Sequence, residues 1–513
     1  MPALPTSVLV AVIGAGAMGS GIAQVAATAG HSVVLFDHLD GAAERGRASI
    51  LSQLAKQIEK GRISGQQRDA IDKRIRIAHR LEELNEAALV IEAIVEDLEA
   101  KRNVFRHMEA IVGPDAVLAT NTSSLSITAV AAGLNHPERV AGFHFFNPAP
   151  VMRLVEIVAG LATRQDVLDC LFDTAAAWGK TVVHVKSMPG FIVNRIARPF
   201  YGEALKLLEE GAGDVATLDL AYRECGGFPM GPFELMDMIG HDVNFAVTKS
   251  VFEGSFGDPR YRPSHIQREL IAAGWLGRKA GRGFYDYALP GPEKKLFHEP
   301  GRTPRQVRIQ GNLGAAEPLV AVLQAGGVPI VREEGSGLLC VDGATLALTD
   351  GRSATIRSAE EGLENLVLLD IALDYATCSK IVVAKADQAL PSALASVAGL
   401  LHAVGKELIV VDDAPGLLIM RMIAMLANEA AEAIAREIAT PEAIDLAMTY
   451  GVNYPKGPIG WADSVGATHI LRVLDNLRQT FADERYRASP FLRRCVARRS
   501  LLQHGSLTQH IGA

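Results

Sequence analysis

The second half of this chain repeats the plan of the first half in a shortened form. Residues 405–421, GKELIVVDDAPGLLIMR, echo residues 179–195, GKTVVHVKSMPGFIVNR. Further along, GVNYPKGPIGWADSVG (451–466) echoes GGFPMGPFELMDMIG (226–240) in the same order. Repetition of several segments in one order is the signature of an internal duplication. The chain is therefore predicted to fold as two related copies, of which the second is shorter before its GK motif.

Short apolar runs alternate with helical segments through the first copy. They are rich in branched residues and read as strands: VLVAVI (8–13), SVVLFD (32–37), AALVIEAI (87–94), AVLATNTS (116–123), RVAGFHFF (139–146) and VMRLVEIV (151–158). Residues 41–80 are charged and read as helical, and residues 190–275 are largely helical. Strands that alternate with helices predict a parallel, doubly wound sheet, here followed by an all-α domain.

The composition restricts the class of protein. A chain of 513 residues is too long for one ordinary core, and 49% hydrophobic with 21% charged residues is typical of a soluble globular protein. A net charge of −7 and a pI near 6.1 argue against a nucleic-acid partner. The five cysteines are scattered, which favours free thiols in a reducing compartment over a disulfide framework or a zinc site.

The termini and the apolar stretches predict a cytoplasmic protein. MPALPTS leads directly into a strand and lacks the basic segment of a signal peptide. The longest apolar stretch, GLLIMRMIAMLA from Gly416, is interrupted by Arg421 and is too short to span a membrane. No cluster of His, Cys and Asp has metal-ligand spacing. We therefore expect neither a membrane partner nor a metal.

A glycine turn after the first strand predicts a dinucleotide site. Gly14, Gly16 and Gly19 form G-x-G-x-x-G between a strand and a helix, which allows a pyrophosphate to approach the helix N-terminus. Asp37 ends the next strand, where a carboxylate can accept hydrogen bonds from the adenosine ribose and repel a 2′-phosphate. NAD is therefore favoured over NADP. An Asp that merely closes a strand stays open as the alternative.

The second copy does not repeat this nucleotide signature. GNLG at Gly311 lacks the third glycine, and no acid is expected to close a strand near Val331. The second glycine turn is interpreted as a structural relic. The predicted fold class is thus α/β with a degenerate second copy, divided into a Rossmann-type domain, a helical domain, a Pro/Gly-rich linker, a reduced Rossmann-like domain and a second helical domain (1–187, 188–287, 288–306, 307–413 and 414–513).

One carboxylate interrupts an apolar strand. Glu156 lies in V-M-R-L-V-E-I-V, on the face of Leu154, where a lone carboxylate is costly to bury without a partner. His144 lies twelve residues earlier, and N-P-A-P between the two is turn chemistry that could bring them together. A paired His and Glu can exchange a proton with a substrate. The alternative is a His bonded to backbone and a Glu that is solvated or paired with Arg153.

These motifs together resemble one enzyme family. VIGAGAMGSGIAQ, EAIVEDLEAK, TNTSSLSI, GFHFFNPAPVMRLVEIV, PGFIVNR, FPMGPFELMD and GRKAGRGFYDY follow in order through residues 8–287. The chain resembles the (S)-3-hydroxyacyl-CoA dehydrogenases, in the long bacterial form that is similar to 3-hydroxybutyryl-CoA and 3-hydroxyadipyl-CoA dehydrogenases. The resemblance implies an oxidoreductase that interconverts 3-hydroxyacyl-CoA and 3-oxoacyl-CoA with NAD.

The resemblance also implies roles for individual residues. His144 corresponds to the catalytic base, Glu156 to its orienting partner, Ser123 to the side chain that bonds the reacting oxygen, and Asn194 to the residue that completes the catalytic site. The implied cofactor residues are Gly14, Gly16, Met18, Gly19, Asp37, Glu96, Lys101 and Asn121, and the implied substrate residues are Ser123, Asn147, Lys56 and Lys60.

Several alternatives remain open at this stage. Met18 is more readily explained as a core residue than as a ligand contact, and Lys56 and Lys60 can be an ordinary solvated helix face. A sugar-acid dehydrogenase on the same scaffold and a catalytically silent NAD-binding protein are the rival functions. The acyl group is expected to be short or dicarboxylic, as in β-oxidation or phenylacetate degradation. The second copy is expected to act as an internal pseudo-partner, with a homo-oligomer left open.

Overall fold

The computed structural model describes residues 2–291, 297 and 301–504. The predicted linker 288–306 falls partly on residues 292–296 and 298–300, which lie outside the described residues. The chain forms two compact units, of which the first comprises Met1–Asn194 and Glu437–Val452. The second comprises Arg195–Arg436 and Asn453–Ala513.

The first unit is built on an eight-stranded sheet. Its strands are β1 (Leu9–Ile13), β2 (Ser32–Phe36), β3 (Ile75–Ala78), β4 (Ala87–Glu92), β5 (Val117–Thr120), β6 (Val140–Phe145), β7 (Leu154–Ala159) and β8 (Thr181–Lys186). Their order is β3-β2-β1-β4-β5-β6-β7-β8. All neighbours are parallel except β6 and β7. The doubly wound sheet expected from the sequence is confirmed.

Three details of this sheet differ from the sequence prediction. β3 lies inside the stretch 41–80 that was predicted to be helical, because a short edge strand with charged neighbours carries little periodic signal. β7 starts at Leu154, three residues later than predicted. β6 and β7 are antiparallel because residues 146–153, which connect them, are too few to form a crossover.

Helices cover the sheet of the first unit. They are α1 (Ala17–Thr28), α2 (Ala42–Glu59), α3 (Gly65–Arg74), α4 (Leu98–Ile111), α5 (Ile127–Ala131) and α6 (Gln165–Ala177), and α7 (Val193–Ile196) follows β8. The central strands are buried on both faces, as Val10, Val12 and Val33 show with no exposed surface. This burial explains why the strands read as continuous apolar runs.

The second unit contains a seven-stranded sheet, which is the reduced Rossmann-like part. Its strands are β9 (Val307–Gln310), β10 (Ile330–Glu333), β11 (Leu338–Val341), β12 (Ala344–Leu348), β13 (Leu366–Leu369), β14 (Lys380–Lys385) and β15 (Glu407–Val410), in the order β10-β9-β11-β12-β13-β14-β15. β10 ends at Glu333, so the expectation that no acid closes a strand near Val331 is wrong. The strand is short and exposed, so the periodicity of apolar residues did not predict that it extends to Glu333.

The remaining helices comprise two similar sets and three helices that belong to the second sheet. α8 (Arg198–Glu209), α9 (Val215–Glu224), α10 (Pro232–Ile239), α11 (His241–Gly254) and α12 (His265–Ala272) follow the first sheet in sequence; α13 (Pro318–Ala325), α14 (Ala354–Glu361) and α15 (Pro391–His402) belong to the second sheet; α16 (Ile419–Ala435), α17 (Pro441–Val452), α18 (Pro458–Val465), α19 (Ala467–Phe481) and α20 (Pro490–Arg498) complete the repeat. α17 belongs to the first unit. There a Cβ at Gly451 would lie 2.6 Å from Leu154, so only glycine allows this close approach of helix and strand.

The strand pair that carries His144 and Glu156 has a counterpart in the second copy. β13 is antiparallel to β14, and β14 is parallel to β15, as in β6, β7 and β8. In both copies the lysine of the GK motif holds the preceding connection, because Lys180 Nζ donates to Ala149 O at 2.6 Å and Lys406 Nζ donates to Cys378 O at 2.6 Å. The second copy therefore keeps the strand pair of the first.

The counterpart pair carries different side chains. Glu156 pairs with Val183, three residues after Lys180, and Val382 pairs with Ile409, three residues after Lys406. Val382 therefore stands where Glu156 stands in the first copy. Its cross-strand neighbour is Asp370, whose amide donates to Val382 O at 2.9 Å. The second copy thus has Asp and Val in place of the His–Glu pair. For this reason no His–Glu motif marks the strand pair in the sequence.

Candidate active site

The glycine turn connects β1 to α1 in a conformation that its glycines require. Gly14 has φ +99°, in the region that favours glycine, and a Cβ at Gly19 would collide with the Gly14 carbonyl oxygen. A Cβ at Gly16 would meet no heavy atom of the described residues within 4 Å. The first turn of α1, AMGS, contains no acidic side chain. The positive end of α1 is therefore accessible to an anion.

Asp37 is fixed beside this turn. It follows β2, and its Oδ2 accepts a hydrogen bond from the Ala15 amide at 2.7 Å while its Oδ1 accepts one from the Leu39 amide at 3.0 Å. A carboxylate, open space at Gly16 and an accessible helix end are the groups that a dinucleotide needs. The residues present therefore fit NAD. Met18 is half-buried and packs against the apolar core, which favours its structural alternative.

The second glycine turn differs from the first in chemistry. Glu317 precedes α13, and its Oε2 accepts a hydrogen bond from the Leu313 amide at 3.0 Å. The same carboxylate is paired with Arg332. A negative side chain therefore occupies the helix end where the pyrophosphate would bind. This geometry supports the interpretation of the turn as a relic.

His144 and Glu156 face each other across β6 and β7. They are directly opposite in the strand register, and His144 Nδ1 lies 2.6 Å from Glu156 Oε2. Glu156 Oε1 accepts hydrogen bonds from the amides of Ile192 at 3.0 Å and Val193 at 3.1 Å. Glu156 has no exposed surface and His144 is 5% exposed. The buried carboxylate therefore has three donors, which answers the burial problem that the sequence posed.

Aromatic rings surround the imidazole, and the sequence did not point to them. The ring centroids of Phe146 and Phe191 lie 4.5 Å and 5.7 Å from that of His144. Such rings exclude water from a proton-transfer site. The alternative partner of Glu156 is engaged elsewhere, because the Arg153 guanidinium lies over the Tyr450 ring at 5.2 Å. The suggested Glu156–Arg153 pair is therefore wrong.

Glu96 accepts several hydrogen bonds from the loop that follows β5. Its Oε1 accepts hydrogen bonds from Thr122 Oγ1 at 2.6 Å, from the Ser123 amide at 3.0 Å and from Ser124 Oγ at 2.8 Å. Burial alone would raise the pKa of Glu96, but Lys101 and these hydrogen bonds outweigh it and lower the pKa below its ordinary value. Glu96 is thus a carboxylate that shapes the loop carrying Ser123.

Lys101 connects Glu96 to a buried carboxylate that the sequence analysis missed. Its Nζ lies 3.3 Å from Glu96 Oε2 and 2.7 Å from Glu92 Oε1, and Lys101 is 1% exposed. Glu92 ends β4, and its Oε2 accepts a hydrogen bond from Thr120 Oγ1 at 2.7 Å. The sequence feature that could have indicated Glu92 is a single acidic residue at the end of an apolar run, AALVIE.

The other candidates lie in different surroundings. Asn121 Oδ1 accepts a hydrogen bond from the Phe145 amide at 2.8 Å, which ties the end of β5 to β6. Asn194 is half-buried and directly follows Val193, whose amide Glu156 holds. Asn147 is exposed. Lys56 and Lys60, at the last turn and C-cap of α2, are both exposed, as a solvated helix face would be.

The described residues lack two further kinds of feature. No group of three or more His, Cys, Asp or Glu side chains among them could share a metal ion. No helix in the described ranges is long and apolar enough to cross a membrane.

Comparisons with known proteins agree with this architecture. The chain matches the family "3-hydroxyacyl-CoA dehydrogenase, NAD binding domain" over residues 9–188. It matches the "3-hydroxyacyl-CoA dehydrogenase, C-terminal domain" twice, over residues 190–287 and 416–505. A "3-hydroxybutyryl-CoA dehydrogenase reduced Rossmann-fold domain" matches residues 346–415. The duplication predicted from the sequence is therefore confirmed.

One curated relative and one solved structure each match nearly the whole chain. A 3-hydroxyadipyl-CoA dehydrogenase of Escherichia coli (strain K12) is 40% identical over 97% of this chain and 98% of its own length. A crystal structure described as 3-hydroxybutyryl-CoA dehydrogenase from Escherichia coli K12 has a TM-score of 0.88 and 39% identity, covering 98% of this chain and 99% of that one. A probable 3-hydroxybutyryl-CoA dehydrogenase of Bacillus subtilis (strain 168) is 44% identical over 54% of this chain and 96% of its own. The chain belongs to the 3-hydroxyacyl-CoA dehydrogenase family of NAD-dependent oxidoreductases.

Proposed function

We propose that this chain interconverts (S)-3-hydroxyacyl-CoA and 3-oxoacyl-CoA with NAD, and that His144 is its general base. The observation that carries the proposal is the buried pair of His144 and Glu156, whose Nδ1 and Oε2 lie 2.6 Å apart. An alcohol can be oxidised only if a base removes the hydroxyl proton as the hydride leaves. A buried His held by a carboxylate is suited to that task.

In this proposal the two imidazole nitrogens have separate tasks. Nδ1 faces Glu156, so Nε2 is the nitrogen left to take the proton from the 3-hydroxyl group. The Glu156 carboxylate orients the ring and stabilises the imidazolium that forms. Because the amides of Ile192 and Val193 hold its other oxygen, Glu156 cannot turn away from the ring. NAD, when bound, supplies the hydride acceptor.

Two further side chains position the substrate in this proposal. Ser123 donates a hydrogen bond to the reacting oxygen, and Glu96 sets the conformation of its loop by accepting from the amides of Ser123 and Ser124. Asn194 completes the catalytic site. It stands next to Val193, so the hydrogen bond between Glu156 and Val193 couples the position of Asn194 to that of the base.

Asp37 selects the cofactor in this proposal. Its carboxylate already approaches the glycine turn through the Ala15 amide, and it can accept hydrogen bonds from ribose hydroxyls there. A 2′-phosphate at the same place would be repelled by this charge. NAD is thus preferred to NADP.

The acyl group is proposed to be short or dicarboxylic. Support comes from the relatives, one named 3-hydroxyadipyl-CoA dehydrogenase and another named probable 3-hydroxybutyryl-CoA dehydrogenase. The CoA thioester, rather than a free sugar acid, is favoured by the extent of the match to the full-length relative.

The test is NADH oxidation with acetoacetyl-CoA, compared with a free 3-oxo acid. We expect turnover of the thioester, and we expect His144→Gln to lower kcat by roughly two to four orders of magnitude with NADH affinity unchanged. His184→Gln is the matched control, because His184 is exposed on β8 and stacks on Phe172. Near-normal turnover in His144→Gln would disprove the assignment of the base. If the native chain oxidises NADH with none of the acyl-CoA substrates tested, the alternative of a catalytically silent NAD-binding protein is supported.

A further inference from the structure

The second unit contains a cavity of about 470 Å³ beside α8 and α11. Its wall includes Arg198 and Tyr201 of α8, Asn244 and Thr248 of α11, and Gln267 of α12. Arg198, Asn244 and Gln267 are 6%, 3% and 1% exposed, so these three polar side chains of the wall are deeply buried. The volume suits a small ligand or one end of a larger one.

Other arginines that line this cavity have acidic partners. Arg260 lies 2.6 Å from Asp258, Arg485 lies 2.7 Å from Glu203, and Arg262 lies 3.7 Å from Asp483. Arg198 differs from them. Its Nη1 donates to Thr248 Oγ1 at 2.9 Å, but within the described ranges no carboxylate lies within 4.0 Å of its guanidinium. Its buried Nε also has no hydrogen-bond partner among the described residues.

A buried guanidinium without a counter-ion is unfavourable. Burial lowers the pKa of Arg198, yet an arginine keeps its charge at any physiological pH. The ring of Tyr201 lies 4.9 Å from the guanidinium carbon and offers only the weak attraction of a π face. An anion bound in the cavity would balance the charge of Arg198 and could accept a hydrogen bond from its Nε–H.

The neighbouring amides are arranged to keep this charge in place. Gln267 Nε2 donates to Asn244 Oδ1 at 3.0 Å, and Thr248 Oγ1 donates to the Asn244 carbonyl at 3.0 Å while accepting from Arg198. Each of these groups is held by another, so the guanidinium is fixed before any ligand arrives. A preorganised fork of N–H donors matches the two oxygens of a carboxylate.

We propose that this cavity binds a carboxylate group, with Arg198 as its charged anchor. A single guanidinium balances one negative charge, so a carboxylate fits better than a phosphate dianion. Two sources carry this group: the distal end of a dicarboxylic acyl-CoA, and a free dicarboxylate. The first source rests on the proposed function, and the second does not.

The first experiment compares two six-carbon thioesters that differ only at the distal end, 3-oxoadipyl-CoA and 3-oxohexanoyl-CoA. If the substrate supplies the carboxylate, Arg198→Met lowers kcat/KM for 3-oxoadipyl-CoA by about 10- to 100-fold and changes that for 3-oxohexanoyl-CoA little, as expected for loss of a charge-assisted hydrogen bond. Lys249→Met is the matched control, because Lys249 is the next residue after Thr248 but is exposed and pairs only loosely with Glu253.

The second experiment titrates the native protein and Arg198→Met with adipate and follows the melting temperature. A free dicarboxylate as ligand raises the Tm of the native protein and of Lys249→Met, but not that of Arg198→Met. The proposal is overturned if Arg198→Met leaves both the thioester preference and the adipate response unchanged. Should Arg198→Met fail to fold, Thr248→Val, which removes the hydrogen bond to Arg198, takes its place. An inactive native protein would contradict the proposed function, while the adipate titration would still decide on the cavity.

Discussion

Arg195 and Arg421 hold equivalent places in the two copies, and each pairs with a glutamate of the other copy. Arg195 Nε donates to Glu429 Oε1 at 2.6 Å, and Arg421 Nε donates to Glu203 Oε2 at 2.9 Å. Each glutamate lies eight residues after the arginine of its own copy. The contact is therefore reciprocal, as in the isologous interface of a two-fold dimer.

The surroundings of these pairs repeat as well. Tyr261 donates to Glu429, and Tyr486 Oη donates to Glu203 Oε2 at 3.2 Å; both tyrosines stand in an R-Y-R sequence. Burial alone would raise the pKa of Glu203, but Arg485 and Arg421 outweigh it and lower the pKa. We interpret the second helical copy as an internal substitute for a dimer partner. The packing residues persist where the catalytic residues have changed.

Removing Arg421 should destabilise the fold strongly. Arg421→Met leaves the buried Glu203 with one guanidinium fewer, which we expect to lower the free energy of unfolding by roughly 3–5 kcal/mol. Arg436→Met is the control, because Arg436 is exposed and its i,i+4 partner Glu432 keeps a second guanidinium, that of Arg260, at 3.9 Å. This variant should change stability by less than about 1 kcal/mol. Urea unfolding measures both. Equal losses in the two variants would show that the reciprocal contact adds little.

One NADH should bind per chain. The first glycine turn is open beside Gly16, whereas the carboxylate of Glu317 occupies the equivalent helix end in the second copy. Calorimetric titration should give a stoichiometry near one, and a Gly16→Val variant should bind none because its side chain would fill the space for the pyrophosphate. A stoichiometry of two would contradict the interpretation of the second turn as a relic.

The equivalent positions Asn194 and Met420 should differ in their effect on activity. Asn194→Ala is expected to lower kcat by roughly two orders of magnitude, since it removes a polar group proposed to touch the substrate. Met420→Ala should leave kcat nearly unchanged and lower stability instead, because Met420 is fully buried. Steady-state rates and melting temperatures of both variants separate the two effects. Comparable loss of kcat in both would refute the asymmetry.

Cofactor choice should depend on Asp37. With this carboxylate in place, kcat/KM should be far higher for NADH than for NADPH. Asp37→Ser should narrow that difference by roughly ten- to a hundredfold, because the repulsion of the 2′-phosphate and the ribose hydrogen bonds are both lost. Asp40→Ser, an exposed position shortly after Asp37, serves as control. A native preference for NADPH would make this interpretation of Asp37 wrong.

Asp370 should make stability depend on pH. Its carboxylate accepts the amides of Leu418, Ile419 and Met420, and burial raises its pKa from 3.8 to about 6. The pKa of Asp370 is higher in the folded protein than in the unfolded chain, so the protonated carboxyl favours the folded state. This contribution to stability is complete below the pKa of the unfolded chain, 3.8, and is lost as pH rises to the pKa of the folded protein, about 6. The free energy of unfolding should thus fall by roughly 3 kcal/mol between about pH 4 and pH 6 relative to Asp370→Asn. Parallel pH profiles for the two proteins would show that Asp370 does not titrate in this range.

Local patterns were enough to predict the main features of the first copy, although not the edge strand β3 or the buried Glu92. The G-x-G-x-x-G turn, the acid after β2 and the pairing of His144 with Glu156 all lie within short stretches whose periodicity or spacing is visible in the chain. The doubly wound sheet and the duplicated helical domain followed from the same signals. The cytoplasmic location and the domain boundaries stay predictions.

Only the tertiary structure decided the contacts that join distant segments. Nothing near Arg195 in the sequence indicates that its partner is Glu429. Likewise, nothing near Arg198 indicates that the described residues offer it no acidic partner. The strand pair that carries Asp370 and Val382 could not be predicted from the sequence either, because it lacks the His and Glu that mark the equivalent pair in the first copy. The physical reason is that burial and pairing depend on which side chains packing brings together. A sequence records local preference, whereas the partners of a buried charge are chosen by the fold.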